Sequence, residues 1–452
     1  MMRKVNRIVL AFGLVPAIMI SFFGTGCSQK KDYNIFVHEI LPNGLDLIIK
    51  YNPDSRVYAI NILGKNRSLL EPNGKEGITD FVNRMLTSGA DGMSADEVQN
   101  ALDDIGAEIT ANDNPYIPYD DRYTSSAYSF IKFETIDEYA HDGTELLHRI
   151  ISKPDFPGPE IRQTSQKVMG LLGMKSGSTY QNARDLCYKN LFSGFPFSKP
   201  VLGNRASIMQ FTRDDLISHH QKFYAPNNMI MAIATNIDPD TVKSWVYETF
   251  GKMEKNNGDY PTLPRPSEVQ GRIEVNHEMN KEQIYIYMGG LCPGMKSPEA
   301  PAIDMAASII SSRMKENLRE QQGLAYSVGM GVSFMPEFGW LIASMGTGFE
   351  NYEVARDGMI AEINKLKSEL PTAEELKKAQ NSTWGSMLLA RASRINQAYY
   401  MCKNEFLGVG YNYEDDYISK IRTVTPDDIQ RVVKDYFDTE NIVIASAGKK
   451  TR

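Results

Sequence analysis

Cysteine is scarce. The 452 residues hold four, none in a C-x-x-C pair, which excludes a disulfide scaffold and a thiolate metal cluster. Apart from Cys27, the remaining Cys187, Cys292 and Cys402 are an odd set. They read as buried thiols, with one disulfide in an oxidising compartment left open and its pair unspecified. Histidine is almost as sparse, and the six residues never form an H-E pair on a helix. His219 and His220 are neighbours that point apart on a helix, the pattern of a solvated face, while His141 and His148 read as surface or core packing. His38 and His277 complete the six. Basic excess is missing as well: a net charge of -7 gives no broad cationic surface, which excludes a nucleic-acid partner. No G-x-x-x-x-G-K phosphate loop, G-x-S-x-G elbow or Cys and His arrangement occurs, so phosphate-loop and metal-independent hydrolase chemistry are set aside. The apolar run at residues 8–23 has sixteen residues, short of the about 20 that a membrane span needs.

What is present is globular, with 42% hydrophobic and 23% charged residues and a length that suits two domains of roughly 200 residues each. The basic "MMRKVNR", the apolar run and "GTGCSQKKDY" follow the order of an export signal. The segment resembles a bacterial lipoprotein signal cut before Cys27 and lipidated there, although Gly24 replaces the usual Leu. Ser28, in place of Asp, implies by that resemblance an outer-membrane lipoprotein facing the periplasm. An uncleaved anchor and soluble secretion remain alternatives.

The strongest internal signal is a duplication. "FTRDDLISHHQKFYAPNNMIMAIATN" from Phe211 and "VTPDDIQRVVKDYFDTENIVIASAGK" from Val424 align without gaps at an offset of 213. Thr212, Asp214, Asp215, Asn228 and Ala232 recur as Thr425, Asp427, Asp428, Asn441 and Ala445. Each copy predicts a Thr-capped helix with acids in its first turn, then a turn and an apolar strand. Between the copies, "NNGDYPTLPRPSEVQG" reads as a stiff linker. Strands are expected at "LDLIIKY", "RVYAINIL", "GRIEVNHE" and "QIYIYMGG", with a helix following over residues 75–88 and 299–320. The expected architecture is α+β: two duplicated α/β sandwich domains, each a mostly antiparallel sheet packed with helices. The divisions are residues 1–27 for the signal, 28–260 and 272–452 for the domains, and 261–271 for the linker. "ASRINQAYYMCKNEFLGVG" mixes Arg391, Arg394, Tyr399 and Tyr400 on an apolar helix and fits either an interface or a core.

The run "LPNGLDLIIKYNPDSRVYAINILGKNRSLLEPNGKEGITDFVNRML", together with "PFSKPVLG", "FYAPNNMIMAIATNID" and "SSRMKENLREQQGLAYSV", resembles the insulinase and pitrilysin type (inverzincin) metallopeptidases, in particular their half-length, processing-peptidase-like branch. Active members of that family carry H-x-x-E-H on one helix, two zinc ligands and a general base. Here the three places hold Asp80, Asn83 and Arg84. The family's third ligand, a Glu, should fall near "QKVMGLLGMKSG", yet no Glu occurs over residues 161–247. A fixed charge at Arg84 facing a divalent ion costs on the order of 8 kcal/mol at about 4 Å and an effective dielectric near 20. Asp80 and Arg84 read most simply as an exposed i,i+4 ion pair, worth about 0.3–0.5 kcal/mol; the alternative has them filling a vacated metal pocket.

The resemblance also implies a role for Arg319, in the last turn of a helix, and Tyr326, at the start of the next strand. In the family the matching Arg and Tyr hold substrate backbone near the scissile bond, and both groups can donate hydrogen bonds to a carbonyl or an oxyanion. Without that pattern they read as a helix C-terminal cation and a strand aromatic. Arg313 reads as structural. The expectation is a catalytically incomplete subunit that binds no cofactor itself and supplies Arg319 and Tyr326 in trans. Its partner would be a homologous H-x-x-E-H chain holding zinc. The alternative is a non-enzymatic scaffold or peptide-binding lipoprotein of the envelope.

Overall fold

β-Branched and aromatic residues in short runs between turn residues set the strands, which assemble into two large sheets and a separate two-stranded one in a computed structural model that describes residues 35–113 and 125–449. Cys27 and the leader lie outside the described residues. The first half contributes β1 (Ile35–Ile40), β2 (Asp46–Tyr51), β3 (Val57–Gly64), a small hairpin of β4 (Gly89–Ala90) and β5 (Met93–Ser94), then β6 (Glu108–Thr110), β7 (Ser129–Ile136) and β8 (Met229–Thr235). Apart from the β4–β5 hairpin, they form one sheet in the order β1-β2-β8-β3-β7-β6. The second half contributes β9 (Ile273–Glu278), β10 (Gln283–Pro293), β11 (Ser327–Phe334), β12 (Phe338–Gly348) and β13 (Val443–Gly448), in the order β11-β12-β10-β13-β9. The four strands expected from sequence are β2, β3, β9 and β10.

The two sheets repeat one topology. β2 runs parallel to β8, and β9 runs parallel to β13, while the other neighbours in each sheet are antiparallel. The duplicated segments occupy matching places. Thr212 caps helix Arg213–Phe223 and Thr425 caps helix Pro426–Tyr436, each in a capping box whose N3 residue is Asp215 or Asp428. The expected α+β class holds. Residues 261–271 carry no helix or strand.

The halves are interleaved. Helix Thr179–Leu191, from the first half, lies on β10, β13 and β9 of the second sheet, and helix Arg394–Phe406, from the second half, lies on β3 and β8 of the first. Beneath the latter, Ile48, Leu63, Phe130, Ile230 and Ala232 meet Ala398, Tyr399, Met401 and Cys402 in a separate buried cluster. The opposite face of the first sheet packs against its own helices through Leu47, Ile49, Ile60, Ile62, Met231 and Ile233. That is why β8 is buried at every position. The mixed helix at "ASRINQAYYMCKNEFLGVG" is therefore core on its inner side. Arg394 is 5% exposed and donates from Nη1 to Val57 O at 3.0 Å and from Nη2 to Asn52 O. Asn61, inside β3, donates to Ile395 O at 2.9 Å. Cys187, Cys292 and Cys402 are free and buried, and burial pushes the Cys187 thiol up to about 12.

Arg394→Ala removes two charge-assisted bonds that join the halves, each worth about 1.5–3 kcal/mol. Urea denaturation is expected to show a loss of about 3 kcal/mol or more; a loss under about 1 kcal/mol would show that this side chain does not hold the halves together.

Candidate functional site

The motif helix, Ile78–Met85, starts where two glycine turns meet. Gly77 (φ 84°) and Gly203 (φ 71°) both adopt the left-handed region, and a Cβ on Gly77 would lie 2.3 Å from the Gly203 nitrogen. Only glycine permits this approach, which docks the helix start against the segment "PFSKPVLG". Glu71 closes the exposed amides: its Oε2 accepts from Gly77 N at 3.0 Å and its Oε1 from Thr79 N at 3.3 Å. The carboxylate meets the positive end of the helix dipole and pairs with Arg67 at 3.4 Å, both side chains being 1% exposed. Nothing in the sequence marks Glu71, because it lies before the helix, outside its periodic pattern.

The three degenerate motif positions form a filled polar pocket. Asp80 is 1% exposed and the Arg84 side chain 14%, so the exposed ion pair expected from sequence is instead a buried one. Arg84 grips both carboxylate oxygens, Nε to Oδ2 at 2.7 Å and Nη2 to Oδ1 at 3.1 Å. Burial works against the Arg84 charge, but Asp80, with Asp113 behind it, outweighs burial and holds its pKa above the ordinary guanidinium value. Arg84 Nη1 also donates to Asn112 Oδ1 at 3.3 Å. Asn83 uses its whole amide: Nδ2 donates to Ala111 O at 3.0 Å and Ser129 Oγ at 2.5 Å, and Oδ1 accepts from the Tyr224 hydroxyl. These residues do not fit zinc. Both oxygens of the one carboxylate are occupied by a cation, the middle residue is a saturated amide, and the third place is that cation. A buried pair with hydrogen bonds to both partners is costly to break and cheap to replace as a unit.

His219 and His220 correct the expectation of a solvated face. Both are buried, at 6% and 5% exposure. His219 Nε2 shares a hydrogen bond with Thr79 Oγ1 at 2.9 Å, bracing the motif helix, and His220 Nε2 meets Ile151 O at 2.7 Å. Burial, with the nearby charges of His220, Arg67 and Lys222, takes His219 down to about 3, and burial takes His220 down to about 4. Their helix is covered on both sides, by the motif helix and by the end of helix Ala140–Ser152.

Arg84 opens onto a cavity of about 1810 Å³ lined by both halves, with Asp113, Tyr188 and Lys199 on one side and Asp304, Ser327 and Trp340 on the other. Burial raises the pKa of Asp304, whose carboxylate accepts from the Tyr417 hydroxyl at 2.8 Å. Arg319 and Tyr326 flank one turn. Helix Ala300–Met314 widens into a π-helix over Lys315–Gln321 that carries Arg319, and Tyr326 precedes β11. Lys315 and Ser327 line the cavity but Arg319 and Tyr326 do not; both are exposed, Tyr326 by 77%. Among the described residues neither side chain has a hydrogen-bond or ion-pair partner. The chain therefore does not bring this pair to its own motif helix. Arg313 is structural, paired with Glu375 at 2.6 and 3.1 Å.

Arg84→Ala leaves the Asp80 carboxylate buried and unpaired, with an expected loss of about 3–5 kcal/mol in urea denaturation, whereas the pair Asp80→Leu with Arg84→Met is expected to be near neutral. A loss below about 0.5 kcal/mol for the single change would remove the pocket-filling assignment. His219 and His220 add a pH dependence: neutral when folded and able to protonate near 6.5 when unfolded, they contribute stability that is full above pH 6.5 and lost as pH falls through about 4 and then about 3. Where both are protonated only in the unfolded chain, the slope is about 2.7 kcal/mol per pH unit, and His220→Gln is expected to halve it. An unchanged slope in that variant would contradict a buried neutral imidazole.

Comparisons with known proteins agree with this geometry. Residues 210–383 match the family model described as peptidase M16 inactive domain. The chain is 24% identical over 405 residues to the uncharacterized zinc protease YmxG of Bacillus subtilis, covering 89% of this chain and 96% of that protein. It is also 24% identical over 419 residues to an uncharacterized zinc protease of Rickettsia felis, covering 91% and 96%. Among solved structures, a peptidase M16 inactive domain from Pseudomonas fluorescens superposes with a TM-score of 0.84 at 17% identity, covering 92% of this chain and 98% of that one. A protease from Helicobacter pylori gives 0.81 at 17% identity, covering 92% and 99%. A chain of Complex III2 from Candida albicans gives 0.74 at 16% identity, covering 91% and 95%. Residues 210–383 are thus of the peptidase M16 inactive-domain type, and the fold throughout is that of the M16 structure it resembles.

Proposed function

We propose that this chain is a non-catalytic peptidase subunit. It binds extended peptide and completes the active site of a homologous, zinc-bearing H-x-x-E-H chain. The observation that carries this reading is the filled motif pocket, where Arg84 and Asp80 take the space and the charge that a metal would need. Exposure of Arg319 and Tyr326 supports work in trans, since both donors are free to meet a substrate held by another chain. The likeness to a chain of Complex III2 supports an assembly of several chains. The leader supports anchoring through lipid on Cys27 in a bacterial envelope, facing the periplasm. A peptide-binding scaffold would fill the same cavity but has no use for two exposed donors that, among the described residues, have no partner.

In the proposed assembly Arg319 and Tyr326 hold peptide carbonyls and the developing oxyanion, while zinc and the general base reside in the partner. The full-length chain alone is expected to leave peptides intact, and mixing it with its zinc-bearing homologue to give hydrolysis. In that mixture Arg319→Ala is expected to lower kcat by about 10²- to 10³-fold without changing the partner's zinc content. Chelator-sensitive hydrolysis by this chain alone would overturn the proposal, as would full activity of the mixture carrying Arg319→Ala.

A further inference from the structure

A second constellation lies where the helix from the second half crosses the edge of the first sheet. β1 and β2 pair with His38 opposite Ile48 and Asp46 opposite Ile40. His38, Ile48 and Asp46 therefore share a face, the one whose Ile48 packs under helix Arg394–Phe406. Glu405, in the last turn of that helix, reaches the same place. One ligand atom from each of His38, Asp46 and Glu405 lies within 4.8 Å of the others.

The loop after the helix holds these groups in position. Tyr411 N donates to Glu405 Oε2 at 3.1 Å, and the Tyr411 ring meets the His38 ring edge-on at 5.0 Å. His38 Nε2 lies 2.8 Å from Asp46 Oδ1. The His38 and Asp46 side chains are 29% and 16% exposed, so solvent can reach the group. The electrostatics favour a cation. Glu405 sits at the negative end of a helix dipole and beside a second carboxylate, both unfavourable for its charge. Burial and Asp46 push its pKa up, against the opposing effect of His38. Lys403 shares the last turn, and Lys65 reaches Asp46 by field alone.

We propose that His38, Asp46 and Glu405 form a divalent-cation site, suited to Zn²⁺ with water in the fourth position, that clamps the helix of the second half onto the first sheet. One imidazole nitrogen and two carboxylate oxygens are a donor set that this ion accepts. Tetrahedral bonds of about 2.0–2.1 Å set donors about 3.3 Å apart, so the three groups need side-chain adjustment only. The site is independent of the peptidase reading and of the filled motif pocket.

The test uses the full-length chain without a polyhistidine tag, stripped with a chelator, dialysed and titrated with ZnCl₂ by calorimetry at pH 7.5. One equivalent is expected to bind with micromolar or tighter Kd. A hundredfold excess over Kd is expected to raise Tm by about 3 °C. Binding is expected to weaken as pH falls below 6, because protons compete for the ligands. Glu405→Gln and His38→Gln, each checked for native circular dichroism, are expected to weaken binding at least tenfold and to abolish the Tm shift; Asp46→Asn serves if either fails to fold. Absence of saturable binding at 100 µM, or binding that survives these substitutions unchanged, would overturn the proposal.

Discussion

The interleaving of the halves is the constraint on which the rest depends. A sheet with one covered face can leave polar residues outward, but here both faces of the first sheet are apolar, and the second face is closed by a helix that arrives more than 150 residues later in the chain. The guanidinium of Arg394 and the amide of Asn61 fix that helix by bonding backbone groups across the junction. Helix Thr179–Leu191 does the reciprocal work on the second sheet, where Ala183 and Cys187 take the place of Ala398 and Cys402. Small side chains at these positions let each helix approach its sheet closely. A cavity lined by both halves follows from this exchange.

At the motif helix, one cationic arrangement stands where the fold's active members place another. The resemblance implies a zinc held by two imidazoles of this helix and a carboxylate of a later one, which would join two elements. Here Arg84, Asp80 and Asn83 hold together the motif helix, the strand residue Ser129 and Tyr224 just past the end of helix Arg213–Phe223. Much the same cross-linking is achieved with hydrogen bonds. Glu71 and His219 stabilise the helix from its start and side. The pocket thus keeps its shape without metal, which separates the structural function of the site from its chemical one.

Much of the fold was legible because its signals are local. Thr212 with Asp215 and Thr425 with Asp428 announce two capped helices within four residues each, and the constant spacing announces the duplication. Asp80, Asn83 and Arg84 were legible as an altered motif, but their burial was not, since it depends on Tyr224 and Ala111 arriving from elsewhere. His219 and His220 misled because adjacent polar residues resemble a solvated face, and only the two elements packed on their helix reverse that reading. The helix exchange left a trace in the recurrence of Ala183 and Cys187 as Ala398 and Cys402, 215 residues apart, but nothing in that spacing says which sheet each helix covers.

The position of Arg319 and Tyr326 turns these structural facts into an argument about division of labour. A π-helical turn at Lys315–Gln321 displaces the ladder of an otherwise regular helix, and such widening is common where a side chain must be aimed. Were the pair meant for this chain's own motif helix, it would share the cavity onto which Arg84 opens, and it does not. Were it mere helix and strand chemistry, Tyr326 would be half-buried against its neighbours, as a strand aromatic is, yet it is 77% exposed. Among the described residues, a guanidinium without a partner and a projecting phenol lie on either side of one turn, both open to the surface. A filled motif pocket and an outward-facing pair of donors are together what the proposed non-catalytic subunit would need.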